Sequence, residues 1–246
     1  MNSERESTPE NEEETYERHT KHRYKSDQKS ASYHSLTTGS VRDVGLRGAV
    51  RGRTVTWAER RGVRAFLTRV PNERVLDIPS GTGKLAPVFH TVGCSVVAAD
   101  ISREMLTIGR QEFRKAGHND VEFVICDAED VSSVLDDDFA VTVCLRLFHR
   151  VPDSVVRSIL AEFSSLSPYA IISMAAHREG VVARIGDGVK SPMGGSTSRN
   201  IRSVDECTAL LEQEFNVLAM RRILPAVSNE LLFLVRSKTA SEYGSD

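Results

Sequence analysis

Cysteine is scarce in this sequence, and no two cysteines lie close together. The four thiols, Cys94, Cys126, Cys144 and Cys207, include no C-x-x-C pair, so neither a disulfide framework nor a zinc site is expected. Widely spaced thiols are typical of a reducing compartment. The N-terminus has no apolar stretch typical of a secretory signal, and no apolar run approaches the roughly 20 residues that span a bilayer. We therefore expect a cytoplasmic protein with no metal site and no membrane span.

The overall charge is also small. The formal net charge is −2 over 246 residues, which gives no general argument for binding to nucleic acid or to a membrane. The charges are unevenly distributed, however: residues 4–17 contain seven Glu and one Arg, whereas residues 42–69 contain eight Arg against Asp43 and Glu59. Residues 1–31 have almost no aliphatic side chains, which predicts a disordered acidic and polar tail because such a segment cannot bury enough apolar surface to offset its chain entropy.

The arginine-rich segment has apolar residues at helical spacing. We predict a helix over residues 54–70 with one apolar face and one basic face. The apolar face would consist of Val55, Trp57, Ala58, Val63, Phe66 and Leu67.

Strand and helix patterns then alternate along the chain. The predicted strands cover residues 74–78, 95–99, 121–125, 139–145 and 169–175. The predicted helices cover residues 85–92, 103–116 and 154–166, with Ser102 as the N-cap of the second. This alternation predicts a parallel sheet with right-handed crossovers.

The pattern changes after Ala176. Residues 177–200 contain five glycines and little periodicity, so we expect a long lid or substrate loop. Ser203 and Glu206 form a capping-box signature that opens a helix to about residue 214. Two further strands, over 215–224 and 230–236, are close enough in sequence to form an antiparallel hairpin. The predicted fold is therefore α/β, a Rossmann-like three-layer sandwich over residues 32–246, with a core at 54–237 and a seven-stranded, mostly parallel sheet.

The stretch VLDIPSGTGKLA, residues 75–86, matches three kinds of ligand-binding loop. A triphosphate P-loop is excluded, because it needs Gly where Ile78 stands and Ser or Thr where Leu85 stands. A dinucleotide loop fits better, since Asp100 lies 19 residues after Gly81. Asp77, however, would repel a pyrophosphate and attract a cationic ligand at the end of the first strand. It could also cap the amides of its own turn. Lys84 is expected to face solvent.

Four segments in order resemble the motifs of class I S-adenosylmethionine (SAM)-dependent methyltransferases. They are residues 75–83 (VLDIPSGTG), 96–102 (VVAADIS) with Met105-Leu106, 121–128 (VEFVICDA) and 141–146 (VTVCLR). The resemblance covers about residues 54–237 and is to small-molecule enzymes similar to the ubiquinone/menaquinone biosynthesis methyltransferases. It implies SAM as the cofactor.

The resemblance also implies roles for individual residues. Asp77, Pro79, Ser80, Gly81 and Gly83 would surround the methionine part of the cofactor. Asp100 would accept from the ribose hydroxyls, and Ile101 and Met105 would pack against the adenine. Asp127, which could instead cap the next helix, would accept from the adenine amino group, and the Ala128 amide would donate to the ring. Cys144 and Leu145 would line the methyl-donor end through their backbones.

Arg146 and His149 follow the fourth predicted strand, where an acceptor is expected to bind. His149 is a candidate general base, and the alternative is a histidine packed at a helix start or hydrogen-bonded to backbone. Arg146 is a candidate for binding an acidic acceptor or the cofactor carboxylate, and the alternative is an ion pair with a neighbouring carboxylate.

Four functions remain open at this point. The first is methyl transfer to an O or N atom of a small-molecule acceptor. The second is RNA methylation that uses the arginine-rich segment 42–69, because arginine clusters neutralise phosphates; a solvated helix face is the simpler explanation of that segment. The third is a non-catalytic partner subunit with the same fold. The fourth is an NAD enzyme that uses residues 75–86 as a dinucleotide loop.

Overall fold

A computed structural model describes residues 41–136, 138–177, 200–225 and 227–239, with side chains from residue 50 onward. The predicted tail over 1–31 lies outside these residues. So does the predicted lid, apart from its two end residues.

The described part of the chain contains five α-helices, one 3-10 helix over Val131–Ser133, and seven strands. The helices are α1 (Val41–Leu67), α2 (Ala86–Val92), α3 (Arg103–Lys115), α4 (Asp153–Leu166) and α5 (Val204–Leu211). The strands are β1 (Arg74–Asp77), β2 (Ser95–Asp100), β3 (Val121–Ile125), β4 (Val141–Cys144), β5 (Tyr169–Ala175), β6 (Phe215–Arg222) and β7 (Glu230–Ser237).

The seven strands form one sheet in the order β3-β2-β1-β4-β5-β7-β6. Strands β1 to β5 are parallel, and β7 lies antiparallel between β5 and β6. The predicted fold class, including the antiparallel hairpin at the C-terminal end, is therefore confirmed. Because β1 lies between β2 and β4, the loops at the carboxyl ends of these three strands meet at one edge of the sheet, which is where open α/β sheets bind ligands.

The core consists of two apolar clusters, one on each face of the sheet. Alternate strand residues supply them, since successive side chains point to opposite faces. Val75 belongs to the cluster that contains Phe89 of α2, whereas Leu76 belongs to the cluster that contains Phe163 of α4. The sheet is thus covered on both faces, as the predicted three-layer arrangement requires.

The predicted helix caps are confirmed. The Ser102 hydroxyl accepts from the Met105 amide at 3.2 Å. In the capping box, Ser203 Oγ accepts from the Glu206 amide at 3.1 Å and the Glu206 carboxylate accepts from the Ser203 amide at 2.6 Å. Each cap satisfies amides that the first turn of a helix leaves without partners.

Helix α1 differs from its prediction in two respects. It begins at Val41 and not at residue 54, although it contains glycines at positions 45, 48 and 52, each about 1 kcal/mol less favourable than alanine in a helix. Trp57, predicted on the apolar face, is 60% exposed. Its ring packs under the Arg61 guanidinium instead, with the Arg61 Cζ 5.9 Å from the ring centroid.

Candidate active site

An open cleft lies at the carboxyl ends of β1 to β4. Eleven of the fourteen predicted site residues line it: Asp77, Pro79, Ser80, Gly81, Asp100, Ile101, Met105, Asp127, Ala128, Leu145 and Arg146. The cleft therefore brings together residues from four separate motifs of the sequence.

The loop after β1 is fixed mainly by its own backbone and by Asp100. The Gly81 amide donates to Asp100 Oδ2 at 2.8 Å, and the Gly83 amide donates to the Ser80 carbonyl at 3.1 Å. Gly81 has φ +56°, a backbone conformation that residues with a Cβ rarely adopt. The two glycine amides are thus engaged within the protein, and the loop presents Asp77 and Ser80 to the cleft.

Asp77 is a buried carboxylate in the cleft wall. Asp77 is 3% exposed, and its Oδ2 has no hydrogen-bond partner among the described residues. Burial raises the pKa of Asp77 to about 7, opposed by the nearby Ser80 hydroxyl and reinforced by the Asp100 charge. A buried acceptor of this kind fits a ligand that supplies a donor or a positive charge.

Asp100 ends β2 and holds two amides at once. Its Oδ1 accepts from the Ser102 amide at 2.9 Å, and its Oδ2 accepts from Gly81. Burial raises the pKa of Asp100 to about 6, and the two amide bonds oppose that shift. Each carboxylate oxygen has a second lone pair, so Asp100 can still accept from ligand hydroxyls at the cleft.

The opposite side of the cleft combines an apolar surface with one carboxylate. Ile101 and Met105 lie beyond β2, and Asp127 and Ala128 lie beyond β3. Asp127 Oδ1 accepts from the Glu129 amide at 3.2 Å within a turn. The helix cap predicted as an alternative is not observed, because the next helical turn, Val131–Ser133, has Asp130 as its N-cap.

Three predicted residues do not line the cleft. Gly83 has φ +71° and packs on α3, where an added Cβ would lie 3.0 Å from the Gly109 carbonyl oxygen. Cys144 is fully buried in β4, and burial raises the pKa of its thiol well above the usual range. His149 is buried, accepts from Arg150 Nε at 3.2 Å, and its carbonyl accepts from the Asn200 amide at 3.0 Å. The structure therefore gives Gly83 a packing role.

Arg146 lines the cleft and is held by carboxylates. It adopts φ +61°, its amide donates to Ser173 Oγ at 2.8 Å, and its Nε donates to Glu59 Oε1 at 2.7 Å. Glu230 of β7 lies 4.0 Å from the same guanidinium nitrogen. The ion pair predicted as one alternative for Arg146 is present, with Glu59 as the main partner.

Lys84 is not the solvent-facing residue that the sequence predicts. Its ammonium forms a salt bridge with Glu59 Oε2, and its side chain is 12% exposed. Burial lowers the pKa of Lys84 to about 8, while the Glu59 charge opposes that shift. The prediction was wrong because α1 crosses this loop and places a carboxylate above it.

Glu59 is the residue of this site that sequence reasoning missed. It joins Lys84 and Arg146 from the buried face of α1, and its side chain is 4% exposed. A signal was present in the sequence: Glu59 lies four residues after Val55 and four before Val63, in the middle of the apolar face. We name Glu59, Lys84, Arg146 and Glu230 the α1 charge cluster.

Further lining residues had no assigned role. They are Ile78, Thr82, Lys84, Leu85, Cys126, Leu147, Arg150, Val151 and Ile159. Most continue a loop that the sequence already identified, whereas Ile159 reaches the cleft from α4 and has no local signal. Within residues 41–136, 138–177, 200–225 and 227–239, no group of three or more metal-ligating side chains is arranged for a metal ion.

Known proteins are similar to this chain in sequence and in fold. A family model described as a methyltransferase domain matches residues 75–167. A demethylmenaquinone methyltransferase of Clavibacter sepedonicus is 44% identical over 78 residues, 32% of this chain and 31% of that protein. The ubiquinone/menaquinone biosynthesis C-methyltransferase UbiE of Pectobacterium carotovorum subsp. carotovorum is 31% identical over 142 residues, 50% of this chain and 56% of that protein. The matched part of the chain thus spans about a third to a little over half of the length of these relatives.

Solved structures show the same fold at low sequence identity. Magnesium protoporphyrin IX methyltransferase (ChlM) from Synechocystis PCC 6803, with bound SAH, has a TM-score of 0.65 at 18% identity, covering 86% of this chain and 100% of that one. The glycopeptide N-methyltransferase MtfA, complexed with SAM, has a TM-score of 0.56 at 16% identity, covering 72% and 86%. Residues 75–167 thus match a methyltransferase-domain model, and the chain shares the α/β fold of these solved methyltransferases. In sequence, it is similar to the ubiquinone and menaquinone enzymes.

Proposed function

We propose that this protein is an enzyme that uses SAM to methylate a small molecule. The observation that carries the proposal is the pairing of Asp77 and Asp100 in one cleft with the apolar Ile101 and Met105. Asp77 presents a buried oxygen, Oδ2, that has no hydrogen-bond partner in the described part of the chain. SAM carries an ammonium and a sulfonium group, both of which such a carboxylate attracts.

The remaining parts of SAM also have matching groups. Asp100 accepts from the ribose hydroxyls through its free lone pairs. Ile101 and Met105 pack on the adenine, Asp127 accepts from its amino group, and the Ala128 amide donates to its ring. The Gly81 and Gly83 amides do not contribute, because they donate to Asp100 Oδ2 and to the Ser80 carbonyl. Gly81 itself leaves room, since a Cβ built there meets no atom within 4 Å.

When bound, SAM supplies an electrophilic methyl group. The contribution of the protein is to hold an acceptor atom in line with that methyl, which by itself lowers the barrier substantially. The acceptor side of the cleft has apolar Leu147 and Val151 beside the cationic Arg146. This combination suits an apolar acceptor with an ionisable oxygen.

We propose an O or N atom as the methyl acceptor. Relatives leave the atom open, because they include a ubiquinone biosynthesis O-methyltransferase of Aliivibrio fischeri and the C-methyltransferase UbiE. Methylation of a quinol-type carbon is therefore the competing proposal. Mass spectrometry of the product from a catechol, an amine and a naphthoquinol acceptor distinguishes the three.

His149 remains a proposed general base, but its position outside the cleft wall favours proximity and alignment as the main contribution of the protein. A cytoplasmic location also remains a proposal, supported by four free, buried thiols. None of the helices in the described ranges has the length and apolar composition of a membrane span.

The proposal is tested first by binding. We expect purified protein to bind SAM at micromolar strength, and Asp77→Asn and Asp100→Asn each to weaken binding at least tenfold, about 1.4 kcal/mol. The exposed Asp136→Asn is the matched control and should bind as the wild type does. Unchanged binding in both site variants would refute the site assignment. Normal binding without turnover on any acceptor would favour the non-catalytic partner, and turnover on RNA alone would favour the RNA enzyme.

A further inference from the structure

The outer face of α1 combines arginines with exposed apolar side chains. At 100° per residue, Val50, Arg53, Trp57, Arg61 and Arg64 lie within an arc of about 80°, and Glu59 lies opposite them. Trp57 is 60% exposed and Val50 is 56% exposed, and the three arginines are exposed as well. We name these five residues the α1 outer face.

This face has no acidic side chain of its own. Within residues 50–67, Glu59 is the one acidic residue, and its side chain is buried against Lys84 and Arg146. The helix thus separates its charges, with the carboxylate inside and the arginines outside. Since the whole chain has a net charge of −2, the positive charge is a local property of this face.

We propose that the α1 outer face binds the surface of a membrane that contains anionic lipids. This inference is independent of the proposed methyl transfer. Arginines near an anionic leaflet are attracted to its surface potential. Tryptophan prefers the boundary between headgroups and acyl chains, where a ring with both apolar and polar character fits. Val50 adds apolar area on the same arc, as in helices that lie in the membrane interface.

RNA is the less favoured partner for the same face. The arginines would neutralise phosphates, and Trp57 could stack on one base. A strand of RNA, however, is usually held in a groove with several aromatic residues, whereas this face is a convex helix surface with a single aromatic residue. The exposed Val50 side chain would find no aliphatic surface to contact in RNA, whereas it would contact acyl chains in a bilayer.

The chain offers a direct readout, because Trp57 is the single tryptophan among its 246 residues. We expect its emission to shift to the blue when the 246-residue protein is mixed with phosphatidylglycerol vesicles, and to stay unchanged with phosphatidylcholine vesicles. Vesicle sedimentation should give an affinity that falls about fivefold per arginine removed in Arg61→Gln and Arg64→Gln. Trp57→Ser, followed by sedimentation, should also weaken binding several-fold.

Matched controls lie on other surfaces of the protein. Arg103→Gln and Arg114→Gln remove the same charge from exposed positions on α3, and Leu218→Ser removes an exposed apolar side chain from β6. These variants should bind vesicles as the wild type does. The proposal is refuted by no vesicle binding at 25 mM salt, by equal losses in the controls, or by RNA binding at this face without vesicle binding. A dimer in solution that Trp57→Ser dissociates would also refute it.

Discussion

Glu59 and Arg146 are 87 residues apart in sequence, and Arg146 Nε donates to Glu59 Oε1 at 2.7 Å. This contact joins a helix that precedes the matched methyltransferase domain to the loop after β4. Lys84 completes the arrangement from the loop after β1. One carboxylate of α1 thus fixes two cationic residues in the wall of the cleft.

Removal of the Glu59 charge should destabilise the protein strongly. Glu59→Gln keeps the size of the side chain but leaves Lys84 and Arg146 without their main counterion in a buried site. Breaking a buried pair in this way costs about 3–5 kcal/mol of unfolding free energy, measured by urea denaturation. The exposed Glu73→Gln should change stability by less than about 0.5 kcal/mol. If Glu59→Gln behaved like this control, the α1 charge cluster would not stabilise the fold.

A second charge change should offset part of that loss. In the double variant Glu59→Gln with Lys84→Met, one of the stranded cations is also absent. The double variant should therefore be more stable than the sum of the two single effects predicts, by about 0.5–3 kcal/mol. Additive effects would show that the two residues do not interact energetically.

The stability of the unliganded protein should fall as the pH rises from about 4 to about 7. Burial raises the pKa of Asp77 to about 7 and that of Asp100 to about 6, against an ordinary value of 3.8. The native state then holds more protons than the unfolded state in this window, so stability is lost as they dissociate. Asp77→Asn mimics the protonated carboxyl, so its advantage over the wild type should grow from pH 5 to pH 8. A constant difference would contradict the raised pKa, and Asp136→Asn is the control.

The affinity for the ligand should rise with pH, whereas the stability of the unliganded protein falls. A ligand ammonium pairs with ionised Asp77, whose fraction rises about tenfold between pH 6 and pH 8 for a pKa near 7. The affinity for S-adenosylhomocysteine, measured by calorimetry, should rise by about that factor. The dependence should be lost in Asp77→Asn, and its persistence there would assign the titration to another group.

The two glycines of the loop after β1 should affect different properties. Gly83→Ala places a Cβ 3.0 Å from the Gly109 carbonyl oxygen at φ +71°, so thermal unfolding should show a loss of about 1–3 kcal/mol. Gly81→Ala, at φ +56°, meets no atom within 4 Å and should lose about 1 kcal/mol. Cofactor affinity should fall more in Gly81→Ala, because its new methyl group enters the cleft. The reverse order of effects on affinity would contradict the placement of Gly83 outside the cleft wall.

Local features were the ones that could be predicted from sequence. Ser102 and Glu206 act within one helical turn, so the neighbouring residues suffice to identify both caps. Asp77 and Asp100 each follow a strand in a recognisable motif, and their meeting at one edge follows from the parallel sheet. The pairing of Lys84 with Glu59 depends instead on the angle at which α1 crosses the loop. That angle is set by tertiary packing, so the pairing could not be predicted from the residues near Glu59 or Lys84.

Trp57 shows a related difficulty. Helical spacing places Trp57 about 160° from Glu59, on the side of α1 away from the other apolar residues, and only its apolar character assigned it to the core. Glu59 lies in the middle of the buried side of α1, whereas Trp57 lies on the exposed side. Burial of a charge by pairing, which is a tertiary effect, reversed the usual assignment.

The position of β7 has a consequence for how the protein assembles during synthesis. Strand β6 has a single neighbour in the sheet, β7, which the ribosome makes afterwards. The first five strands can pair as they emerge, whereas β6 must wait for the last strand to insert beside β5. Glu230, the first residue of β7, then approaches Arg146. The charged surroundings of Arg146, a residue of the cleft wall, are therefore complete only once β7, the last of the seven described strands in sequence, has joined the sheet.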